Sequence, residues 1–336
     1  MRSLTFAAAL LVPLGAFAQD RAPILMDVTE THILPRFAEL ADATGALSTT
    51  AQTDCESESD DLRADYATAF DSWISASHLR FGPSEADDRA FALAFWPDTK
   101  GFTPKTLSRH IASEDTAVDD PDAFAETSIA GRGFFALERM LFDPAMTEQG
   151  SADYRCALIR AITTDINRNA VAINADWQSY APRLTQPGDN SPYRSGDEAM
   201  QELFKALTTG LEFTADTRIG RPLGTFERPR PNRAEARRSK RSLHHVTLSL
   251  IALRDLAARL SFDHPEIAAD LDAGFARAID RAQSLDDPAL AGVATPQGRV
   301  RIEALQQSIN DIREIAATEL GPTLGISAGF NSLDGD

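Results

Sequence analysis

The stretch DLRADYATAFDSWISASHL, residues 61–79, decides the fold class. Leu62, Tyr66, Ala69 or Phe70, Trp73 and Ala76 or Ser77 recur at steps of three and four, which places them on one face of an α-helix. Gly82-Pro83 stops that helix. Upstream, Ile33, Phe37, Leu40, Thr44 and Leu47 keep the same period, with Pro35 near the start. Downstream, the spacing predicts helices over 121–142, capped by Asp120 with Pro121 in first position, over 152–180 and over 197–219, the last ending at Gly220-Arg221-Pro222. Further helices are predicted over about 233–261, 265–284 and 296–319. No segment alternates strictly between apolar and polar residues, so strands are not expected. The fold class is all-α, two packed helical bundles.

The run TQPGDNSPYRSG, residues 185–196, is the clearest loop and divides the chain into bundles at 19–188 and 189–336. Arg80-Phe81-Gly82-Pro83 and Arg218-Ile219-Gly220-Arg221-Pro222 both close a predicted helix, one in each half, which hints at an internal duplication. Residues 80–103, with Phe95-Trp96-Pro97-Asp98, read as an aromatic connection that packs on the helices.

Charge and cysteines set the context. The chain has 336 residues, with 33 Lys and Arg against 50 Asp and Glu, a net charge of −17. That field disfavours nucleic acid and anionic membranes as partners. Met1-Arg2, the apolar stretch from Leu4 to Gly15, and Ala16-Phe17-Ala18 form the three parts of a signal peptide cleaved after Ala18. Export to the periplasm or cell envelope is therefore expected, with no membrane span once the leader is removed. Export also makes a Cys55–Cys156 disulfide the expected state of the two thiols.

Three groups of residues could carry chemistry. Glu138 lies between Phe135 and Phe142 on one helical stripe, and a carboxylate so placed needs a cation, a metal or hydrogen-bond donors. It reads equally as a ligand or acid/base group and as half of a structural salt bridge. The second group is the segment 228–245, with seven Lys and Arg in an acidic chain. If it is helical, Glu235, Ser239 and Ser242 share one face, while Arg238, Arg241 and His245 share another. The segment is either an anion or metal-complex site or a solvated basic face. The third group is the six histidines, none in a His-Glu-x-x-His frame. No phosphate loop, nucleophile elbow or Cys–His signature appears.

These residues resemble the imelysin family, envelope proteins described first as metallopeptidases and later linked to iron uptake. The hallmark of that family is Gly-x-His-x-x-Glu. Gly133-Phe134-Phe135-Ala136-Leu137-Glu138 keeps its Gly and Glu but has Phe135 in place of the His. Trp73 with Leu79-Arg80-Phe81-Gly82-Pro83, Phe95-Trp96-Pro97-Asp98, Glu235 with Ser239 and Ser242, and the tail from Gly325 to Asp336 also match, in order. The resemblance is to the branch lacking the hallmark His. It implies two related helical bundles with the hallmark helix at their interface.

The functional expectation is an exported, non-enzymatic binding protein linked to iron or another divalent metal. Its small ligand or metal would sit between the bundles, contacted by Arg80, Trp96, Asp98, Glu138, Glu235, Ser239 and Ser242. Phe135 supplies no ligand, so a metal would have to recruit Glu235, His32 or His245 beside Glu138. The alternative is an imelysin-type metallopeptidase, which needs a metal-bound water beside a base. A third reading is a metal-free protein that binds an envelope partner through the basic segment.

Overall fold

The protein, a computed structural model, is described over residues 20–189 and 191–326. The expected signal peptide and most of the tail motif lie outside the described residues. Among the described residues there is no β-strand, only an isolated bridge between Thr225 and Arg228.

Among the described residues, nine long helices carry the architecture. The first, α1 (22–53), contains a π-helical segment at Val28–Ile33 between Ala22–Asp27 and Leu34–Thr53. α2 is Asp60–Ala76, α3 Phe102–Ser113, α4 Gly133–Phe142 and α5 Ala152–Thr185. The second half holds α6 (196–223), again with a π-helical segment at Phe213–Ile219, then α7 Ser242–Leu260, α8 Pro265–Gln283 and α9 (296–323).

The apolar stripes explain the packing. Phe37, Leu40, Thr44 and Leu47 of α1 are buried, as are Leu62, Tyr66, Phe70 and Trp73 of α2. α1 lies against both α2 and α5, while α8 lies against both α7 and α9. Phe37 stacks on Trp177 at 5.4 Å and Phe70 on Phe134 at 4.6 Å. Such pairs are worth about 0.5–1.5 kcal/mol beyond their buried area. Across the halves, α7 packs on α2 and on the π-segment of α1, and buried residues from both halves form one hydrophobic cluster. Cys55 and Cys156 are joined, with Cα atoms 5.1 Å apart, tying the end of α1 to the start of α5.

Three helix expectations need correction. Residues 121–142 are not one helix: Pro121–Ala125 and a 3-10 turn at Ile129–Gly131 precede α4. At the entry to α4 the backbone is extended at Arg132 and left-handed at Gly133, φ +73°, where only glycine fits, because a Cβ would stand 2.2 Å from the Ala92 carbonyl oxygen and 2.4 Å from that of Leu93. Gly220-Arg221-Pro222 does not end α6, which runs on to Leu223 and stops at Gly224, φ +57°. Arg80–Pro83 therefore follows a finished helix, whereas Arg218–Pro222 lies inside one. Finally, the helix predicted over 233–261 begins only at Ser242. Residues 234–241 form successive turns, with Ala236 and Lys240 at positive φ. The aromatic connection over 80–103 packs as expected, with Phe81 and Leu93 buried and Trp96 half-buried.

Candidate functional site

α4 delivers Glu138 into the seam between the halves. Arg132, which precedes the helix, makes two hydrogen bonds to Asp165 of α5, from Nε at 2.9 Å and Nη2 at 2.7 Å, and so fixes how α4 enters. Glu138 is 2% exposed. Its Oε1 accepts three hydrogen bonds from the opposite half: the backbone N–H of Arg238 at 2.9 Å, the backbone N–H of Ser239 at 3.0 Å and the Ser239 hydroxyl at 3.0 Å. Two consecutive amides can converge on one oxygen because the 234–241 segment is a turn and not a helix. Burial pushes the Glu138 carboxyl above its ordinary range, and these donors oppose that shift. Arg238 closes the clamp through its side chain, whose Nε lies 2.7 Å from Asp143 Oδ2, an oxygen shared with Arg139 at 2.7 Å.

Beside Glu138 lies a cavity of about 130 Å³. Trp96 and Phe135 line it as a stacked pair, ring centroids 6.1 Å apart. Asp98 also lines it, but its carboxylate caps α3, accepting the N–H groups of Phe102 and Thr103 at 2.9 Å each. Burial alone would push Asp98 up, and these amides hold it below its ordinary value. Arg139, Arg221, Arg233 and Arg238 complete the charged lining.

A second polar cluster lies under the turn segment. Glu235, 3% exposed, accepts Arg218 Nε at 2.8 Å and contacts His245 Nδ1 at 3.3 Å. Burial pushes its carboxyl up, but the Arg218 charge and the His245 contact hold it down, at about 2. The Ser242 hydroxyl donates to the Glu235 carbonyl. A third cluster surrounds His32 in the π-segment of α1. His32 Nδ1 lies 2.7 Å from Asp255 Oδ2 and its Nε2 lies 2.8 Å from His78 Nε2. Because the carboxylate only accepts, His32 donates from Nδ1 and His78 donates from Nε2.

The predicted residues are therefore distributed. Trp96, Asp98 and Glu138 line one cavity, with Ser239 bonded to Glu138. Glu235, Ser242 and His245 form the adjoining cluster, and His32 belongs to the third. Arg80 lies elsewhere, paired with Glu85 and set 4.9 Å over the Phe91 ring. Among the described residues, no three His, Cys, Asp or Glu side chains converge as a metal ion requires. Sequence reasoning singled out neither Arg218 nor Arg221, and it held Arg233 only as part of the basic segment 228–245 and His78 only as one of six histidines. Arg218 had a visible signal, since it follows Leu211, Thr214 and Ala215 on a buried stripe at helical spacing. Arg221 had none, because Gly220-Arg221-Pro222 reads as a helix stop although α6 runs on through it to Leu223, and the short 3-10 turn Pro231–Arg233 that carries Arg233 has no period.

The imelysin family model matches residues 33–316. Iron-regulated protein A of Synechococcus elongatus is 27% identical over 299 residues, 82% of this chain and 78% of that protein. An imelysin-like protein from Psychrobacter arcticum, known from its crystal structure, superposes with a TM-score of 0.77 at 20% identity, covering 92% of this chain and 97% of that one. With the family match spanning most of its length, and with the hallmark Gly133 and Glu138 placed on one buried helix, the chain belongs to the imelysin family.

Proposed function

We propose that this chain is an exported, non-enzymatic binding protein that serves iron handling, and that it binds its ligand in the cavity beside Glu138. One observation carries the reading: Glu138 Oε1 is taken up by three hydrogen bonds from the turn 234–241. A carboxylate oxygen so engaged is an anchor between the halves and a poor general base or ligand for a bare metal. The other donors weighed for a metal do not fit one either. Phe135 fills the hallmark His position, Glu235 is neutralised by Arg218, and His32 is held by Asp255 and His78. Four guanidiniums around the cavity would repel a bare cation. The link to iron rests on the name of the Synechococcus relative, and export rests on the leader at residues 1–18. Among the described residues, no helix is long and apolar enough to cross a membrane. In this reading the bundles 19–188 and 189–336 are the two walls of the binding site.

The test is metal analysis of the mature protein after metal exchange, run beside a peptide-cleavage assay and growth of a deletion strain. The expected result is no stoichiometric iron or zinc retained from free ions, no chelator-sensitive cleavage of unfolded peptides, and impaired growth of the deletion strain under iron limitation. Chelator-sensitive cleavage that E138A abolishes would restore the metallopeptidase. Normal growth without iron would remove the iron role. No protein in the periplasmic fraction would overturn export, and an N-terminus other than Gln19 there would overturn cleavage after Ala18.

A further inference from the structure

The charges facing the cavity do not balance. Two of its four arginines, Arg139 and Arg238, share Asp143. Among the described residues, the other two, Arg221 and Arg233, form no ion pair and no side-chain hydrogen bond, and Arg221 Nε is buried without a partner. The two acids of the lining are engaged elsewhere, Glu138 through Oε1 by the Arg238 and Ser239 amides and Asp98 by those of Phe102 and Thr103. Arg221 is instead set 5.8 Å over the Trp96 ring, which orients its guanidinium along one wall. Burial and the neighbouring Arg233 charge both push the Arg221 guanidinium below its ordinary value, so the pair is unfavourable as it stands. A volume of about 130 Å³ is well above the roughly 15 Å³ that one water needs.

We infer that the cavity binds a small oxyanion, a carboxylate or phosphate group held by Arg221 and Arg233 and packed against the Trp96–Phe135 stack. Guanidinium forks match both carboxylate and phosphate in planar, charge-assisted hydrogen bonds. The anion would fill the orphaned Arg221 donor and relieve the Arg221–Arg233 repulsion. The site rests on the proposed binding role but commits to the ligand's charge, which that role leaves open. It also shows how an iron-handling protein could use a cationic pocket: the ion would arrive inside an oxyanion shell, and the shell would be what the arginines hold. The overall charge of −17 does not oppose this, since screening limits distant charges to about 10 Å at moderate salt.

Titration calorimetry and tryptophan fluorescence on the mature protein test the inference, with citrate, phosphate, ferric citrate, ferrous ion and choline as separate probes. At least one oxyanion is expected to bind and to change the fluorescence, through Trp96, while choline does not bind. R221Q and R233Q should each weaken that binding tenfold or more. Arg233 is exposed, so R233Q keeps the test alive if R221Q fails to fold. R254Q, which breaks a surface ion pair with Asp272, should leave binding unchanged. Citrate or phosphate binding without ferric citrate binding upholds the anion site and counts against the iron role. Ferrous ion binding with no oxyanion binding overturns the anion site and leaves the iron role standing. Oxyanion affinity unchanged in both arginine variants also overturns it.

Discussion

Arg218 Nε and Glu235 Oε2 meet at 2.8 Å, each side chain only 4% exposed, and Arg218 Nη2 reaches on to the Ser77 hydroxyl at 3.3 Å in the other half. This pair pins the turn 234–241 from beneath, while Glu138 pins it from the side. Removing one member of a buried pair leaves an uncompensated charge and costs about 3–5 kcal/mol. E235A and R218M should each lower unfolding stability by that order in urea titrations. The double variant should cost less than the sum of the singles, because it leaves no buried charge behind. Full additivity in the double-mutant cycle would mean that the two side chains do not depend on each other.

The histidine cluster predicts a loss of stability in mild acid. Burial lowers His32 from 6.5 to about 4, although the Asp255 hydrogen bond opposes it, and burial also holds His78 well below its ordinary value. Arg36, Arg218, Asp255 and Arg259 are the charged groups facing the pair. Both rings are neutral in the folded protein at pH 7. As pH falls below 6.5 the unfolded chain takes up protons that the folded chain refuses, so stability declines between pH 6.5 and 4 and then levels off for His32. The full effect for His32 is about 3 kcal/mol. Melting temperatures measured from pH 7.5 to 4 should slope downward in the wild type and less so in H32Q. An equal slope in the two proteins would show that His32 titrates normally.

The fold was legible because burial writes a period into the chain. Leu62, Tyr66, Phe70 and Trp73 face the core as their spacing requires, and the same holds for Phe37, Leu40 and Leu47. The site was legible only in part. Glu138 stood out as a carboxylate between phenylalanines, and its need for donors was evident. The donors themselves are backbone amides, which every sequence contains and none advertises. Extending a helix across Glu235 and Ser239 assigned them to a face, whereas Ala236 and Lys240 turn the backbone left-handed there. Nothing in those two residue types signals that conformation, since neither is the glycine that usually adopts it. The π-segments that aim His32 and Arg218 into the seam are likewise set by tertiary packing.

The Cys55–Cys156 bond closes a loop of 101 residues. A loop of that length stabilises the native state by on the order of 4–5 kcal/mol in the chain-entropy model. Adding a reductant, or making C55S/C156S, should shift the urea midpoint down without loss of helix signal at low urea. A midpoint indifferent to reductant would mean that α1 and α5 hold each other as firmly without the bond.

Gly133 should tolerate no side chain. Its φ of +73° is costly for any other residue, and the Cβ of alanine would collide with the backbone carbonyls of Ala92 and Leu93, in the short helix Arg89–Leu93. G133A must therefore shift α4, and with it Glu138, away from the Arg238 and Ser239 amides. Stability should fall by about 2 kcal/mol or more, and proteolysis within 228–241 should accelerate as the clamp loosens. Wild-type proteolysis rates in G133A would show that the turn holds its shape without α4.

Reinstating the hallmark imidazole separates the role of one residue from that of its surroundings. In F135H the ring would replace a phenyl group 7% exposed, stacked on Trp96 and set edge-on to Phe70 at 5.2 Å. Burial there disfavours the protonated ring, so the imidazole would be neutral and chemically able to bind a metal. It would still stand beside a carboxylate whose Oε1 already accepts three hydrogen bonds, in a cavity lined by four arginines. F135H should therefore retain no more iron or zinc than the wild type by elemental analysis, and should lose about 1–3 kcal/mol of stability from the changed packing. Stoichiometric metal in F135H would show that the missing imidazole alone, and not the cationic pocket or the amide clamp, keeps metal out of this protein.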